Sequence, residues 1–228
     1  DDGSAFDVDI TAQPDTPNQV CGFDNADSGS LAGGDATVNV SCVTTQYTVG
    51  VNVSGLAAGN SVVFQNNTGD DLNVNANGVS TFATSLDDGS AYNVTVLTQP
   101  TMPNQTCVVT GPMGNLAGGN VELAVACTTQ FDLSVSVSGL AAGNTVIFQS
   151  NGGDDLTVMS NTTNTFATAI DEGSAYTVTV LSQPTSPNQT CDINNPTGNM
   201  NSDLTLSVTC VTNTYFVGGN VTGLLKNS

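Results

Sequence analysis

Acidic residues occur as adjacent pairs that recur at matching places along the chain. The pairs are Asp1 and Asp2, Asp70 and Asp71, Asp87 and Asp88, Asp154 and Asp155, and Asp171 and Glu172. Two carboxylates could act as the acid and the base of a glycosidase. Such a site exists once, in a deep cleft, whereas these pairs lie in predicted turns of every copy of a repeated segment. The pattern argues against catalysis.

Calcium binding is a second use of these carboxylates, since Ca²⁺ prefers hard oxygen ligands. The candidates are Asp70, Asp71, Asp87, Asp88, Asp154, Asp155, Asp171 and Glu172. None of them belongs to a recognised calcium loop. The alternative is that they are solvated turn residues, which favour Asp-Gly geometry and keep sheet edges soluble. No other cofactor is expected.

Nucleophilic catalysis lacks a base in this sequence. The chain has no His, and its single basic residue is Lys226, close to the last residue. Ser and Cys nucleophiles need a neighbouring base, and every Cys has a predicted partner. The glycine pairs at Gly33 and at Gly118 precede strands, which favours turns over a phosphate-binding loop. We therefore expect that the protein is not an enzyme.

The charge excludes polyanionic partners. The chain carries 20 acidic residues against one basic residue, a formal net charge of -19. Nucleic acids and anionic membranes are bound through Lys and Arg, of which this sequence has only one. No apolar run approaches the roughly 20 residues that cross a bilayer. Only 9% of residues are charged and 38% are hydrophobic, in regular alternation, which argues for a folded chain with a neutral polar surface.

The cysteines form three pairs with similar spacing. Cys21 and Cys42, Cys107 and Cys127, and Cys191 and Cys210 are separated by 21, 20 and 19 residues. Zinc sites usually place cysteines two to four residues apart and often use His, so a metal centre is disfavoured. Closing a loop of this length by a disulfide is worth about 3 kcal/mol. One disulfide per repeat predicts an oxidising compartment, at the cell surface or in a secreted protein.

A repeat runs through the whole chain. Pro-Asn-Gln followed two residues later by Cys begins at Pro17, Pro103 and Pro187, so the copies are 86 and then 84 residues apart. This predicts the later part of a repeat at 1–45, complete repeats at 46–129 and 130–213, and the first strand of a further repeat at 214–228. Both ends fall inside repeats. Either the protein continues on both sides, which we favour, or the tail strand at 215–221 completes the front portion of a second molecule.

Within each repeat the apolar residues alternate with polar ones, which is typical of strands with one buried face. The first complete repeat contains seven such stretches, which we label A to G. They lie at 47–53, 62–64, 72–74, around Phe82, at 92–96, from Cys107 onward, and at 121–127. Short strands, frequent turns and no helical periodicity predict tandem antiparallel β-sandwich repeats of about 84 residues.

This texture resembles the immunoglobulin-like and prealbumin-like repeats, including the collagen-adhesin B-type modules, that bacterial surface proteins string into arrays. The resemblance covers the whole chain but includes no catalytic motif. It implies an all-β fold and a spacer or adhesive role, without naming a ligand.

Glycosylation and sugar binding are two further possibilities. Asn-x-Ser/Thr is frequent in this sequence, and Asn52, Asn93 and Asn220 lie on the predicted outward face of their strands, where a glycan could project. Tyr47, Phe64, Phe82 and Tyr92 could form a sugar-binding platform. There is no Trp, and these aromatic positions recur on inward registers, so core packing is the better account.

Two functions remain. The first is a structural extracellular protein, a rigid stalk, filament or adhesin spacer that assembles head-to-tail through neighbouring repeats or other copies of itself. The second is an adhesin module whose loops at one end bind a glycan or a cell-surface protein. Its expected sign is one repeat whose loops differ sharply from the others.

Overall fold

A computed structural model describes residues 1–223, which form β-strands and no helix. They fall into two compact units, Asp1–Thr129 and the described residues from Gln130 onward. The all-β prediction is confirmed. Residues 213–223 carry no strand, and Leu224, Lys226 and Ser228 lie outside the described residues, so the assignment of 214–228 as the first strand of a further repeat stays a prediction. The finer division at residues 45 and 213 stays a prediction.

The front portion of the first unit contains two small ladders. Its strands are β1 (Ala5–Asp7), β2 (Gln19–Phe23), β3 (Ser28–Ser30) and β4 (Val40–Thr44). Strand β1 pairs with β3, and β2 pairs with β4, both antiparallel. Each is a two-stranded sheet.

The rest of the first unit is a two-sheet sandwich. Its strands are β5 (Gln46–Tyr47), β6 (Val49–Ser54), β7 (Val62–Asn66), β8 (Asp70–Val74), β9 (Gly78–Thr81), β10 (Leu86–Asp87), β11 (Ala91–Thr98), β12 (Gln105–Val109), β13 (Met113–Asn115) and β14 (Val121–Phe131). One sheet has the order β12-β14-β6-β9 and the other β13-β11-β7-β8.

The second unit repeats this arrangement. Its strands are β15 (Leu133–Ser138), β16 (Val146–Ser150), β17 (Asp154–Val158), β18 (Thr163–Thr165), β19 (Ile170–Asp171), β20 (Ala175–Ser182), β21 (Gln189–Ile193), β22 (Thr197–Asn199) and β23 (Leu204–Thr212). The sheet orders are β21-β23-β15-β18 and β22-β20-β16-β17. The last two residues of β14 pair with β19. The repeated sequence segments therefore form strands in the same sheet order.

One strand pair in each sandwich is parallel. Strand β6 runs parallel to β14, with Val53 opposite Val125, and β15 runs parallel to β23, with Val137 opposite Val208. The other ladders are antiparallel. Alternation predicts which face of a strand is buried but not the direction of its neighbour, so the sequence did not reveal this pairing.

The connection between predicted strands F and G is longer than a hairpin. Strands β12 and β14 are antiparallel neighbours, as predicted. Between them, however, the chain crosses to the other sheet, where β13 pairs with β11 and places Gly114 opposite Tyr92. A Cβ on Gly114 would lie 2.5 Å from the Tyr92 hydroxyl oxygen. A glycine is needed there because the Tyr ring covers it.

The alternating apolar residues form one core in each sandwich. In the first, Val49, Val51, Phe64 and Val94 are buried, and their counterparts in the second are Leu133, Val135, Phe148 and Val178. Tyr47 and Tyr92 pack against the first core, where Phe64 and Phe82 are buried. The aromatic side chains therefore serve packing.

A buried amide network links the Pro-Asn-Gln segment to the first turn of each sandwich. The Gln105 Oε1 accepts hydrogen bonds from the Ala57 N–H and the Asn60 Nδ2, at 2.9 and 2.8 Å, and its Nε2 donates to the Gly55 carbonyl at 2.8 Å. Gln189 makes the same bonds to Ala141, Asn144 and Gly139. No buried side-chain nitrogen or oxygen among residues 1–223 lacks a hydrogen-bond partner, as expected because an unpaired buried polar group is costly.

Candidate functional site at the corner beside Asp88

The two carboxylates of an adjacent pair bind different partners. The Asp70 Oδ2 accepts a hydrogen bond from the Thr84 N–H at 2.8 Å, whereas the Asp71 Oδ1 accepts one from the Gln65 Nε2 at 2.7 Å. Asp154 and Asp155 do the same with Thr168 and Gln149. Each carboxylate therefore holds its own turn or strand.

Asp87 and Asp171 each accept a hydrogen bond from the glutamine at the start of their repeat. The Gln46 Nε2 donates to the Asp87 Oδ1 at 2.9 Å, and the Gln130 Nε2 donates to the Asp171 Oδ1 at 2.9 Å. Among the described residues, no group of three or more Asp, Glu, His or Cys lies together as a metal site would require. Calcium at these turns stays a hypothesis from sequence.

Asp88 is the exception among the acidic residues, because it is only 8% exposed. Its Oδ2 accepts a hydrogen bond from the backbone N–H of Asn18, in the front portion, at 2.6 Å. Its Oδ1 accepts one from the Gly118 N–H at 2.8 Å. The carboxylate therefore joins the front portion to the loop between β13 and β14.

The charge on Asp88 is favoured by these contacts. Hydrogen bonds from the N–H groups of Asn18, Gly118 and Gly89 lower the pKa of the Asp88 carboxyl below its usual value, against the opposing effect of burial. Donors that bind the ionised form stabilise it relative to the neutral acid. Asp88 therefore stays ionised at neutral pH despite being buried.

The same corner contains a linker of a single residue. Strand β4 ends at Thr44 and β5 begins at Gln46, so only Thr45 lies between them. The Thr45 N–H donates to the Asn18 carbonyl at 2.8 Å, and the Thr45 carbonyl accepts from the Asp88 N–H at 2.9 Å. Both polar groups of the linker backbone are satisfied.

A side-chain contact completes the corner. The Asn18 Nδ2 donates to the Tyr47 hydroxyl oxygen at 3.1 Å. Beside these residues lies an open groove of about 750 Å³, whose lining includes Asp15, Pro17, Asp87 and Ser90. None of the described residues that line it is aromatic.

All three predicted disulfides are formed, each between directly opposed residues of an antiparallel pair. Cys21 is bonded to Cys42, Cys107 to Cys127 and Cys191 to Cys210. Sequence analysis placed Cys107 at the start of a strand and Cys127 at the end of one, whereas both are interior to β12 and β14. The bond fastens the middle of the ladder.

A glutamine that sequence analysis missed brackets each first cysteine. The Cys107 N–H donates to the Gln99 Oε1 at 2.8 Å, and the Gln99 Nε2 donates to the Cys107 carbonyl at 3.0 Å. Gln13 and Gln183 do the same for Cys21 and Cys191. Its signal was available, since Gln stands eight residues before the first Cys in every repeat.

The predicted glycosylation positions are all on the surface. Asn52, Asn93 and Asn220 are exposed. The Asn52 Nδ2 donates to the Glu122 Oε1 at 2.8 Å, so a glycan at this position would replace that contact. Modification of these residues stays a prediction.

Comparison with known proteins gives only distant likenesses. No protein-family model matches the chain, and no curated protein sequence matches it. It is similar to the Bacillus anthracis TIE protein, with 13% identity and a TM-score of 0.30 over 77% of this chain and 36% of that one. It is also similar to the open pilus adhesin SpaC from Lactobacillus rhamnosus GG, with 11% identity and a TM-score of 0.33 over 83% of this chain and 38% of that one.

A third likeness is to the major pilin protein of Streptococcus pyogenes, with 9% identity and a TM-score of 0.21 over 75% of this chain and 97% of that one. The chain spans well under half the length of the first two proteins. Likenesses at this level carry no information about function.

The location follows from the cysteines. Three disulfides in one chain persist in an oxidising environment, which places the protein in a secreted or cell-surface setting. No helix among residues 1–223 is long and apolar enough to span a membrane.

Proposed function

We propose that the chain is a structural segment of an extracellular stalk, filament or adhesin, in which the front portion and the first sandwich are joined stiffly. The observation that carries this proposal is the Asp88 carboxylate, which accepts the backbone N–H of Asn18 from the preceding portion and that of Gly118 from its own sandwich. If the linker were flexible, the Asn18 N–H and the Asp88 carboxylate would instead form hydrogen bonds with water.

The linker supports the same interpretation. Thr45 has no freedom to swing without breaking its bonds to Asn18 and Asp88. A flexible connection is usually several residues long and rich in Gly and Ser. One fully bonded Thr is the opposite, so the joint resists bending.

The net charge is consistent with a structural segment that lies beside other copies of itself. A net charge of -19 on 228 residues makes neighbouring chains repel one another, which keeps them apart and soluble. The partners of such a segment are the repeats before and after it, or further copies of the chain.

The stiffness of this joint can be measured with two spin labels, one at Asp35→Cys in the front portion and one at Val79→Cys on the exposed side of β9. We expect a narrow distance distribution in the parent chain and a broad one after Asp88→Ala. Asp71→Ala is the control, because it removes a carboxylate of the same sandwich that does not touch the front portion. A broad distribution in the parent chain would contradict the proposal.

The binding-module alternative would use the groove beside Asp88. Its acidic and hydroxyl lining could accept hydrogen bonds from sugar hydroxyls, but it offers no ring for a sugar to stack on. Glycan binding by the chain that Ser90→Tyr blocks would favour this alternative over a pure spacer.

A further inference from the structure

In each sandwich the first long strand and the last strand are neighbours in one sheet and run in the same direction. Strands β6 and β14 are joined by six consecutive residue pairs, from Val49 opposite Val121 to Ser54 opposite Ala126. Strands β15 and β23 are joined by six pairs in the same way. We call these two parallel pairs the terminal ladders. The chain therefore enters and leaves one sheet of each sandwich through the two strands of its terminal ladder.

The parallel direction determines how tension on the chain acts. A pull on both sides of a sandwich draws the first strand back toward its N-terminal end and the last strand forward toward its C-terminal end. Because the strands are parallel, these two forces are opposite and lie along the strands, so they shear the ladder. The hydrogen bonds of a parallel ladder are evenly spaced between the strands, so they bear a shearing load together. A force that separates the strands at one end would instead break the bonds one after another.

The backbone groups that bear this load can be assigned. The Thr48 carbonyl accepts a hydrogen bond from the Val121 N–H at 2.9 Å, at the start of β14. The Val49 carbonyl accepts one from the Phe82 N–H at 3.0 Å, on the side of β9. Because successive residues of a strand present their polar groups to opposite sides, every second residue from Thr48 to Ser54 faces β14.

Side-chain hydrogen bonds strengthen both ends of the first terminal ladder. At its start the Thr48 N–H donates to the Asn120 Oδ1 at 2.9 Å. At its end the Ser54 Oγ donates to the Val125 carbonyl at 2.9 Å. Each of these bonds joins the chain at β6 to the chain at β14, so each is loaded by the same shear.

The second terminal ladder has equivalent bonds at equivalent places. The Asp132 N–H donates to the Asp203 Oδ1 at 2.9 Å, and the Ser138 Oγ donates to the Val208 carbonyl at 3.0 Å. Two sandwiches whose outward side chains differ therefore keep the same contacts between their first and last strands.

We propose that the terminal ladders are load-bearing elements, which resist tension along the chain by shear. Strand β5 does not serve this purpose, because it pairs with β10 at two positions only, through Gln46 and Tyr47. The inference deepens the proposed function, on which it rests for the assumption that the segment is pulled along its length. It names the part of each sandwich that carries the force.

The disulfide of each sandwich limits the length released when the ladder breaks. Cys107 and Cys127 join β12 to β14, so the residues between them stay within a covalent loop. The separation is 20 residues here and 19 between Cys191 and Cys210. At about 3.5 Å for each extended residue, either loop withholds about 70 Å of chain. A ruptured sandwich therefore lengthens only by its part before the second cysteine-bearing strand.

The direction of pulling provides the test. Single-molecule force spectroscopy is carried out on the oxidised full-length chain with handles on non-natural side chains, at Thr48 and either Ala126 or Glu122. Ala126 lies at the far end of the ladder from Thr48 and Glu122 near its start, so the first arrangement shears the ladder that the second one peels. Since forced unfolding follows the barrier to unfolding, we expect a rupture force at least about twofold higher in shear at the same loading rate.

Equal rupture forces, or a lower force in shear, would overturn the proposal. Matching melting temperatures of the two labelled chains exclude a difference in stability as the cause of a difference in force. The second sandwich repeats the comparison independently, with handles at Asp132 and either Thr209 or Thr205, which lie at the far end and near the start of its ladder. The same ratio is expected there.

The released length is a second readout. Pulling the full chain by its two ends should rupture each sandwich in one step, and reduction of the disulfides should lengthen each of these steps by about 70 Å. Steps that reduction leaves unchanged would show that the sandwich does not open between β6 and β14, and would overturn the proposal.

These results are independent of the stiffness measurement. A chain whose terminal ladders resist shear but whose Asp88 corner is flexible would retain the load-bearing ladders and lose the stiff joint. A stiff corner beside a ladder that breaks equally in both directions would do the reverse.

Discussion

The two complete sandwiches have the same interior but different corners. In the first, Asp88 is buried and binds the N–H of Gly118, next to Gly119. In the second, the position of Asp88 is taken by Glu172, which is exposed, and the loop carries Asn201, Ser202 and Asp203 in place of Ala-Gly-Gly-Asn. The interior is set by packing, which both sandwiches must satisfy, whereas the corner is free to specialise.

The front portion has the same hydrogen bond between an Asp and a Gly-Gly loop as the first sandwich. Its Asp2 Oδ1 accepts a hydrogen bond from the Gly33 N–H at 2.7 Å, and Gly33 is followed by Gly34. Asp therefore occurs with a Gly-Gly loop and Glu occurs without one. The glycines that donate to these carboxylates, Gly33 and Gly118, have positive φ angles of 73° and 76°, a backbone conformation that residues with a Cβ rarely adopt.

The shared interior predicts equal and large effects when its amide network is removed. Gln105→Ala and Gln189→Ala each leave buried groups of the first turn unpaired, and we expect each to destabilise its sandwich by about 3 kcal/mol. Hydrogen exchange resolved by peptic peptides measures both sandwiches in one chain. Asn73→Ala, on an exposed position of β8, is the control, and effects that differ widely between the sandwiches would break the comparison.

Removing a disulfide is expected to destabilise either sandwich by about as much as removing its buried glutamine. Replacing Cys107 and Cys127, or Cys191 and Cys210, by Ala removes a crosslink of nearly the same span, so we expect a loss of about 3 kcal/mol in either sandwich. Both should stay folded, because the core remains. Replacing Cys21 and Cys42 should instead open the β2–β4 ladder to exchange, since an isolated two-stranded ladder is marginal. Protection of β2 without its disulfide would contradict this.

Much of this architecture was predictable from sequence because it depends on period and repetition. Alternating apolar residues located the buried faces of β6, β7, β11 and β14, and the 84-residue repeat selected the disulfide partners. The parallel neighbour of β6 and the crossing strand β13 were not predictable, because both are long-range pairings. Asp88 and Glu172 occupy equivalent positions in the repeat, yet of the two only Asp88 is buried and accepts backbone hydrogen bonds. The Gly-Gly pair in the loop at Gly118 could have distinguished the two positions from sequence.

The different corners predict a pH response confined to the first unit. Because the N–H groups of Asn18 and Gly118 lower the pKa of Asp88 below its usual value, its ionised form fully stabilises the corner at a pH above that usual value. This stabilisation is lost as the pH falls through the lower pKa of the folded state. We expect the distance between labels at positions 35 and 79 to broaden only below about pH 4.

Asp88→Asn provides the matched variant for that titration. An amide can accept one N–H but presents its own NH₂ to the other, so the corner should be loose at every pH. Glu172→Gln should change nothing in the second sandwich, because that side chain is exposed. An Asp88→Asn chain with a distance distribution as narrow as that of the parent at neutral pH would show that the Asp88 carboxylate does not hold the corner.

The smallest expected effect is that of a chelator, which should leave both sandwiches and the corner unchanged. Asp70, Asp71 and Asp87 each accept a hydrogen bond from a protein N–H group, and Asp88 accepts two, so each carboxylate already has a protein partner that holds it in place without an ion. Melting curves with EDTA, and with added Ca²⁺, should therefore superimpose. Since a ligand present at 100 times its Kd stabilises a fold by about 2.7 kcal/mol, a bound Ca²⁺ would shift the curve by several degrees. A fall of several degrees or more on chelation would show that calcium holds these turns and that their hydrogen bonds are secondary to it.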